Sequence, residues 1–265
     1  MCTVLIGRDV TGPGEILVAA NRDEDPARPS DPPGVLLDEP RLVGGRDRIS
    51  GGTWLAVNSA PTHSGRSEAQ AGSKAQAGCS VTLLLNRRPL PGAPLPARSR
   101  GLLTIDVARA SDPRATARAE AATGRYAPCT LVHVSPAECW WLAIPVDGPV
   151  RTAEIAPGWH AITHAELDDA SEPRTAWLAS ELSGFRPSGA EPALARLASL
   201  LAHHGDASSP AVCLHDGRMQ TVSAALLALS STRAIYRHAE GRPCTQPFAD
   251  VSAWLARGPK NDEAP

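Results

Sequence analysis

Hydrophobic positions in this chain fall in short β-branched runs broken by glycine, proline and acidic residues. Residues 2–6 (CTVLI) form one run and residues 15–20 (EILVAA) another, separated by the turn signal Gly12-Pro13-Gly14. This pattern predicts an N-terminal hairpin. Residues 26–40 are rich in Pro and Asp and predict an irregular surface loop. Gly44-Gly45-Arg46-Asp47 and Gly51-Gly52 bracket an expected tight turn before a strand over 53–58. Residues 59–78 have few large apolar positions and predict a flexible insertion. The run 79–85 (CSVTLLL) predicts a buried strand ending at Asn86, and a Pro-rich loop follows over 89–96.

Beyond this point the pattern predicts helices over 115–122, 174–182 and 190–204, the last carrying Leu194, Leu197, Leu200 and Leu201 at helical spacing. Residues 130–134 and 140–144 read as a hairpin, and 159–163 as a further strand. A second hairpin is expected for 211–215 and 219–223 about Asp216-Gly217. Residues 234–237 are expected to pair with 242–245, and a terminal helix is expected over 249–257. Many short strands with a few helices predict antiparallel sheets with helices packed outside them. The chain reads as a single domain over 1–258, followed by a polar tail over 259–265.

Composition narrows the function. With 42% hydrophobic and 20% charged residues the chain is an ordinary globular sequence. A net charge of -2 leaves no basic footprint for nucleic acid and no polybasic membrane patch. No apolar run reaches the length of a membrane span. No basic-then-apolar leader opens the chain, so cytoplasmic retention is the expectation. None of the six cysteines forms a C-x-x-C pair, which argues against zinc-ribbon and thioredoxin readings. Cys79, Cys129, Cys139 and Cys213 read as small core residues.

Cys2 differs by position. Removal of Met1 would place its thiol and a free α-amine on one residue, a nucleophile beside its own general base. An α-amine titrates near about 7.7–8.0 and is a competent base close to neutrality. The cluster Asn21-Arg22-Asp23-Glu24 ends the second strand and is expected close to it. Asp23 suits the ammonium, and Asn21 suits the thiol or a substrate carbonyl. Arg22 and Glu24 are expected to meet substrate; Arg22, on the opposite strand face, suits a substrate carboxylate or the bracing of a loop.

Taken together, Met1-Cys2-Thr3, Ala20-Asn21-Arg22-Asp23-Glu24, Gly44-Gly45-Arg46-Asp47, Gly51 to Asn58 (GGTWLAVN) and Ser99-Arg100-Gly101 resemble the NRDE family, that of transport and Golgi organisation protein two. That family is similar to N-terminal nucleophile hydrolases of the choloylglycine hydrolase and penicillin V acylase group. The resemblance implies an αββα sandwich, two antiparallel sheets between helix layers, and hydrolysis of a non-peptide amide through a thioester. It carries Cys2 over as nucleophile, Asp23 as the acid that orients the amine, and Asn86 as a group near the oxyanion. Asn58 belongs to the matched stretch and is assigned with the substrate-binding residues. The chain departs from the pattern at Thr163-His164, where the family has Ser-Asn, so His164 is the expected substitute donor. It departs again at Thr221-Val222-Ser223-Ala224, where the family has Thr-Arg-Ser-Ser; Arg174 and Arg233 are the candidates to replace that Arg. The resemblance also implies an alternative, a non-catalytic carrier for haem or another hydrophobic ligand.

Other constellations are weaker. His160 and His164 with Asp168 and Asp169 form a loose ligand set in a strand-then-loop context, and no metal or cofactor is expected. His203-His204 reads as a pair of partners for a helix C-terminus. Trp54 and Trp159 read first as core rings and second as pocket walls.

Overall fold

The computed structural model describes residues 2–59, 78–88, 90, 92 and 95–256. The insertion expected over 59–78 and the tail over 259–265 lie almost wholly outside these residues. The N-terminal hairpin forms from β1 (Thr3–Arg8) and β2 (Ile16–Glu24), closed by the Asp9 N–H donating to the Glu15 carbonyl at 2.9 Å. It continues into β3 (Ser30–Asp38), β4 (Arg41–Asp47), β5 (Leu55–Asn58) and β6 (Ser80–Asn86). Helices α1 (Arg100–Ala108) and α2 (Pro113–Ala122) precede β7 (Cys129–Val134), β8 (Cys139–Ile144), β9 (Arg151–Glu154) and β10 (Gly158–Ile162). Helices α3 (Pro173–Leu182) and α4 (Ala190–Leu201) lead to β11 (Gln220–Leu229), β12 (Ala234–Ala239) and β13 (Ala249–Asp250).

The strands form two antiparallel sheets, ordered β10-β1-β2-β11-β12-β13 and β3-β4-β5-β6-β7-β8-β9. Their facing sides meet in one core that includes Val4, Ile6, Val18, Leu83, Val132 and Leu227. The other face of the first sheet packs Leu5, Leu17 and Leu226 against Leu178 of α3 and Leu197 of α4. The other face of the second sheet packs Leu131 and Trp140 against Leu103 of α1 and Ala117 of α2. Strand alternation thus drives the layering: each central strand is apolar on both faces because both are covered. The result is the expected αββα sandwich.

Several local expectations are corrected. Residues 30–38 form an edge strand rather than a loop, because at a sheet edge Pro32 and Pro33 forfeit no ladder bond, and the register slips between Asp31 and Gly34. Gly44 and Gly45 lie within β4 rather than flanking a turn; a Cβ on Gly44 would come 2.2 Å from the Leu55 carbonyl oxygen. Helix α1 was not expected at all. Its N-cap is Ser99, whose hydroxyl accepts from the Gly101 N–H at 3.2 Å. Residues 211–215 do not pair as a hairpin: the Val212 and Cys213 N–H groups both donate to the His203 carbonyl. The apolar run 224–229 instead extends β11 between β2 and β12, where both its faces are covered. Strand β12 pairs with β11 and β13, and residues 242–245 form a turn. The expected terminal helix is the two-residue β13 and a 3-10 turn over Ser252–Leu255. No helix among the described residues is long and apolar enough to cross a membrane.

Candidate active site

Cys2 opens a strand held on both sides, by β2 and by β10. Its side chain shares the inter-sheet core with Val4 and Ile6 and is 7% exposed. The β1–β2 ladder ends at Thr3 opposite Asn21, which sets Cys2 beside Arg22. Burial raises the thiol pKa and the negative charge of Asp23 raises it further, while the Arg22 guanidinium pulls it down.

Asn21 and Asp23 lie on the opposite face of β2, toward the helices, as their spacing predicts. Asp23 is buried at the end of the sheet. The Thr221 hydroxyl donates to its Oδ1 at 2.7 Å. The Arg174 guanidinium of α3 lies 3.6 Å from its Oδ2 and donates to the Thr3 hydroxyl at 2.9 Å. Burial pushes the carboxyl up to about 6, against the pull of Thr221 and Arg174. Asn21 is committed elsewhere: its amide donates to the Leu201 carbonyl at 2.9 Å and the Val212 carbonyl at 3.1 Å. It pins the α4–β11 connection and leaves the thiol side to other groups.

A cavity of about 500 Å³ opens at this end of the sandwich. Arg22, Glu24, Trp54, Asn86, Arg100 and Val222 are part of its wall. Arg87, buried next to Asn86, donates to the Thr130 hydroxyl at 2.8 Å and the Ala165 carbonyl at 3.0 Å, and it pairs with Glu166 at 2.7 Å. This ties the end of β6 to the segment carrying His164. The β1–β10 ladder ends at Val4 opposite Ile162, so Thr163-His164 leaves the sheet on the Cys2 side. Burial, aided by Arg88 and Arg174 and opposed by Glu172, holds the half-buried His164 below its ordinary pKa and therefore neutral at pH 7.

Other expected residues fall elsewhere. Asn58 donates to the Ala108 carbonyl at 2.9 Å and serves the C-terminus of α1, outside the cavity wall. Glu24 does reach the cavity and sits 3.8 Å from Arg22 and 3.9 Å from Arg28. Arg233 lies in the β11–β12 turn, at the far end of β11 from Thr221, whereas Arg174 reaches Asp23. His160 bonds Asp168 at 2.6 Å through Nδ1 and the Ala156 carbonyl at 2.8 Å through Nε2, so neither nitrogen remains for a metal.

Arg100 is a cavity-wall side chain to which the sequence alone assigns no role. It projects from the first turn of α1 and bonds the Pro128 carbonyl at 2.9 Å. Among the described residues no carboxylate lies within ion-pair distance of it. Burial lowers its pKa, and the nearby Glu24 carboxylate opposes that fall. Its position is set by glycines. A Cβ on Gly52 would come 2.3 Å from the Gly101 carbonyl carbon, and the Thr53 N–H donates to the Gly101 carbonyl at 3.1 Å. The motifs around Gly52 and Ser99 are therefore two halves of one backbone contact. Asp47 anchors the adjoining turn, accepting from the Arg28 guanidinium at 2.6 Å and from the Ile49 N–H at 2.8 Å.

Two solved structures share this architecture. One is a Caenorhabditis elegans N-acylethanolamine-hydrolyzing acid amidase ortholog, 11% identical, with a TM-score of 0.54 over 85% of this chain and 92% of that one. The other is a mutant conjugated bile acid hydrolase from Clostridium perfringens, 10% identical, with a TM-score of 0.50 over 97% of this chain and 95% of that one. At such identity they establish the fold, that of N-terminal nucleophile hydrolases. No curated protein sequence matches the chain. The family model described as Transport and Golgi organisation 2 matches residues 1–182, which hold β1 through α3 and every cavity-side element except β11 and β12. This chain belongs to the Transport and Golgi organisation 2 family.

Proposed function

We propose that this protein is an N-terminal cysteine hydrolase acting on a non-peptide amide bond, with Cys2 as nucleophile once Met1 is removed. The observation that carries this reading is the burial of Cys2 at a sheet end between Arg22, which lines the cavity, and the Thr163-His164 segment, with Asp23 on the other face of β2. The α-amine of Cys2 accepts the thiol proton as sulfur attacks the substrate carbonyl. Asp23, held by Thr221 and Arg174, orients the resulting ammonium. The tetrahedral oxyanion is met by Asn86 and neutral His164 as donors. Collapse breaks the C–N bond, the ammonium returns its proton to the leaving amine, and a thioester remains. Water, deprotonated by the same amine, then releases the acid and regenerates the thiol. Arg100, with no carboxylate in ion-pair distance among the described residues, is the group for an anionic substituent of the substrate.

The charged wall weighs against the carrier reading, since a haem or lipid carrier would line its cavity chiefly with apolar side chains. The test is an acyl-amide panel with and without terminal carboxylates, assayed with processed wild type and Cys2→Ala. Turnover confined to the wild type supports the proposal. Equal turnover in Cys2→Ala, or saturable haem binding without turnover of any amide, overturns it.

A further inference from the structure

Among the described residues one group has the donor set of a metal centre, and it lies outside the cavity. His204, Cys213, His215 and Cys244 bring their ligand atoms within 4.8 Å of one another. They come from three segments: the exit of α4, the approach to β11 and the turn after β12. Cys213 Sγ stands 3.6 Å from Cys244 Sγ and 3.7 Å from His215 Nε2, and Cys244 Sγ stands 3.2 Å from His215 Nε2. The His204 ring meets His215 edge-on at 4.6 Å between centroids.

The spacings among Cys213, Cys244 and His215 fit one ion. Tetrahedral zinc, with bonds of about 2.3 Å to sulfur and about 2.0–2.1 Å to nitrogen, separates its ligands by about 3.8 Å (S···S), about 3.5 Å (S···N) and about 3.4 Å (N···N). A disulfide would hold the sulfurs at about 2.05 Å, far below the separation here. The neighbouring ring is excluded as a ligand, because His203 Nε2 is bonded to the Ser209 hydroxyl at 2.8 Å and its ring stacks on Trp177. Two thiolates and two neutral imidazoles cancel the charge of a divalent ion, which suits a partly buried site.

We infer that Cys213, Cys244, His215 and His204 bind a structural Zn²⁺ in a Cys2His2 site. Binding forms two Zn–S and two Zn–N bonds and releases the two thiol protons to solvent. Four protein ligands close the coordination sphere, so the ion braces the fold and leaves no position for substrate. The segment it clamps is the one the candidate active site leans on. Asn21 bonds the Val212 carbonyl, and the Leu214 N–H donates at 2.9 Å to the same Thr221 hydroxyl that donates to Asp23. The lack of a C-x-x-C pair hides such a site in the sequence, and folding supplies the proximity that local spacing does not.

The test uses the full chain, with any purification tag removed, in reducing buffer. Elemental analysis is expected to find about one zinc per chain. Replacement by Co²⁺ is expected to give tetrahedral visible bands and a near-ultraviolet thiolate charge-transfer band. Cys213→Ser and Cys244→Ser should each lose that band and the metal, and His204→Ala should bind more weakly by at least about tenfold. Cys2→Ala should keep zinc and spectrum, which separates this site from the hydrolase proposal. If the cysteine variants fail to fold, the wild-type cobalt spectrum decides. A chain without zinc that gives no tetrahedral cobalt spectrum would overturn the inference. So would a Cys213–Cys244 disulfide in protein alkylated directly on lysis.

Discussion

Replacing Gly52 with alanine tests how the cavity is built. The added Cβ would stand 2.3 Å from the Gly101 carbonyl carbon, 2.6 Å from its Cα and 2.7 Å from the Leu102 nitrogen. All three are backbone atoms of the first turn of α1, so no side chain can rotate away. Relief needs that turn to retreat by on the order of 1 Å, with overpacking worth about 1–3 kcal/mol. The retreat also breaks the Thr53–Gly101 hydrogen bond, at about 1 kcal/mol. The total is about 2–4 kcal/mol, a fall in Tm of roughly 5–15 °C for a chain of this size. Arg100 moves with the turn, so kcat/KM on an anionic substrate should drop by about tenfold or more. Thermal and urea unfolding measure the first effect. Gly34→Ala, where the added atom meets nothing within 4 Å, is the control and should stay within about 0.5 kcal/mol of wild type. Gly52→Ala melting within about 1 °C of wild type would refute this account of the Gly52–Gly101 contact.

Asn21→Ala strands the buried Leu201 and Val212 carbonyls and should cost about 2–4 kcal/mol in urea unfolding; an unchanged midpoint would show that Asn21 does not hold the α4–β11 connection. Arg174→Met removes a cation that lowers the Asp23 pKa, so the acid limb of the pH–kcat/KM profile should shift to higher pH; an unmoved limb would count against Asp23 as the orienting acid. His133 is buried against Trp140, and burial with the nearby Arg114 holds its pKa down to about 4, outweighing Glu138 at 3.6 Å. The unfolded chain protonates this ring near about 6.5, so it binds more protons than the native state between those values. Stability is therefore full above about pH 6.5 and falls as pH drops toward about 4, by about 3 kcal/mol. Denaturant titrations of His133→Gln should show a flatter dependence, and a slope equal to wild type would contradict this reading.

The parts of the fold legible in the sequence are those where local pattern and tertiary setting agree. β1, β2 and β6 are apolar runs between turn signals, and they form as such because central strands are covered on both faces. β3 was hidden because its prolines mimic a loop, and only its edge position makes them harmless. Gly44 and Gly52 looked like turn residues, yet each serves a backbone approach from a distant segment, which no local signal encodes. The Asn21-Arg22-Asp23 alternation was legible, placing Arg22 on the Cys2 face and the other two on the helix face. The use of Asn21 was not, since its acceptors arrive from residues 201 and 212. The cluster at His204, Cys213, His215 and Cys244 was illegible for the same reason: three separate segments supply it.

The proposed mechanism requires that Cys2, freed of Met1, form an acyl-enzyme. The most direct measurement is mass spectrometry of the protein quenched in acid during turnover of an amide substrate, with peptide mapping of the N-terminus. The expected result is a chain beginning at Cys2 and carrying the acyl mass on that residue, absent from Cys2→Ala. A chain that retains Met1, or an acyl group found on another residue while turnover proceeds, would contradict it.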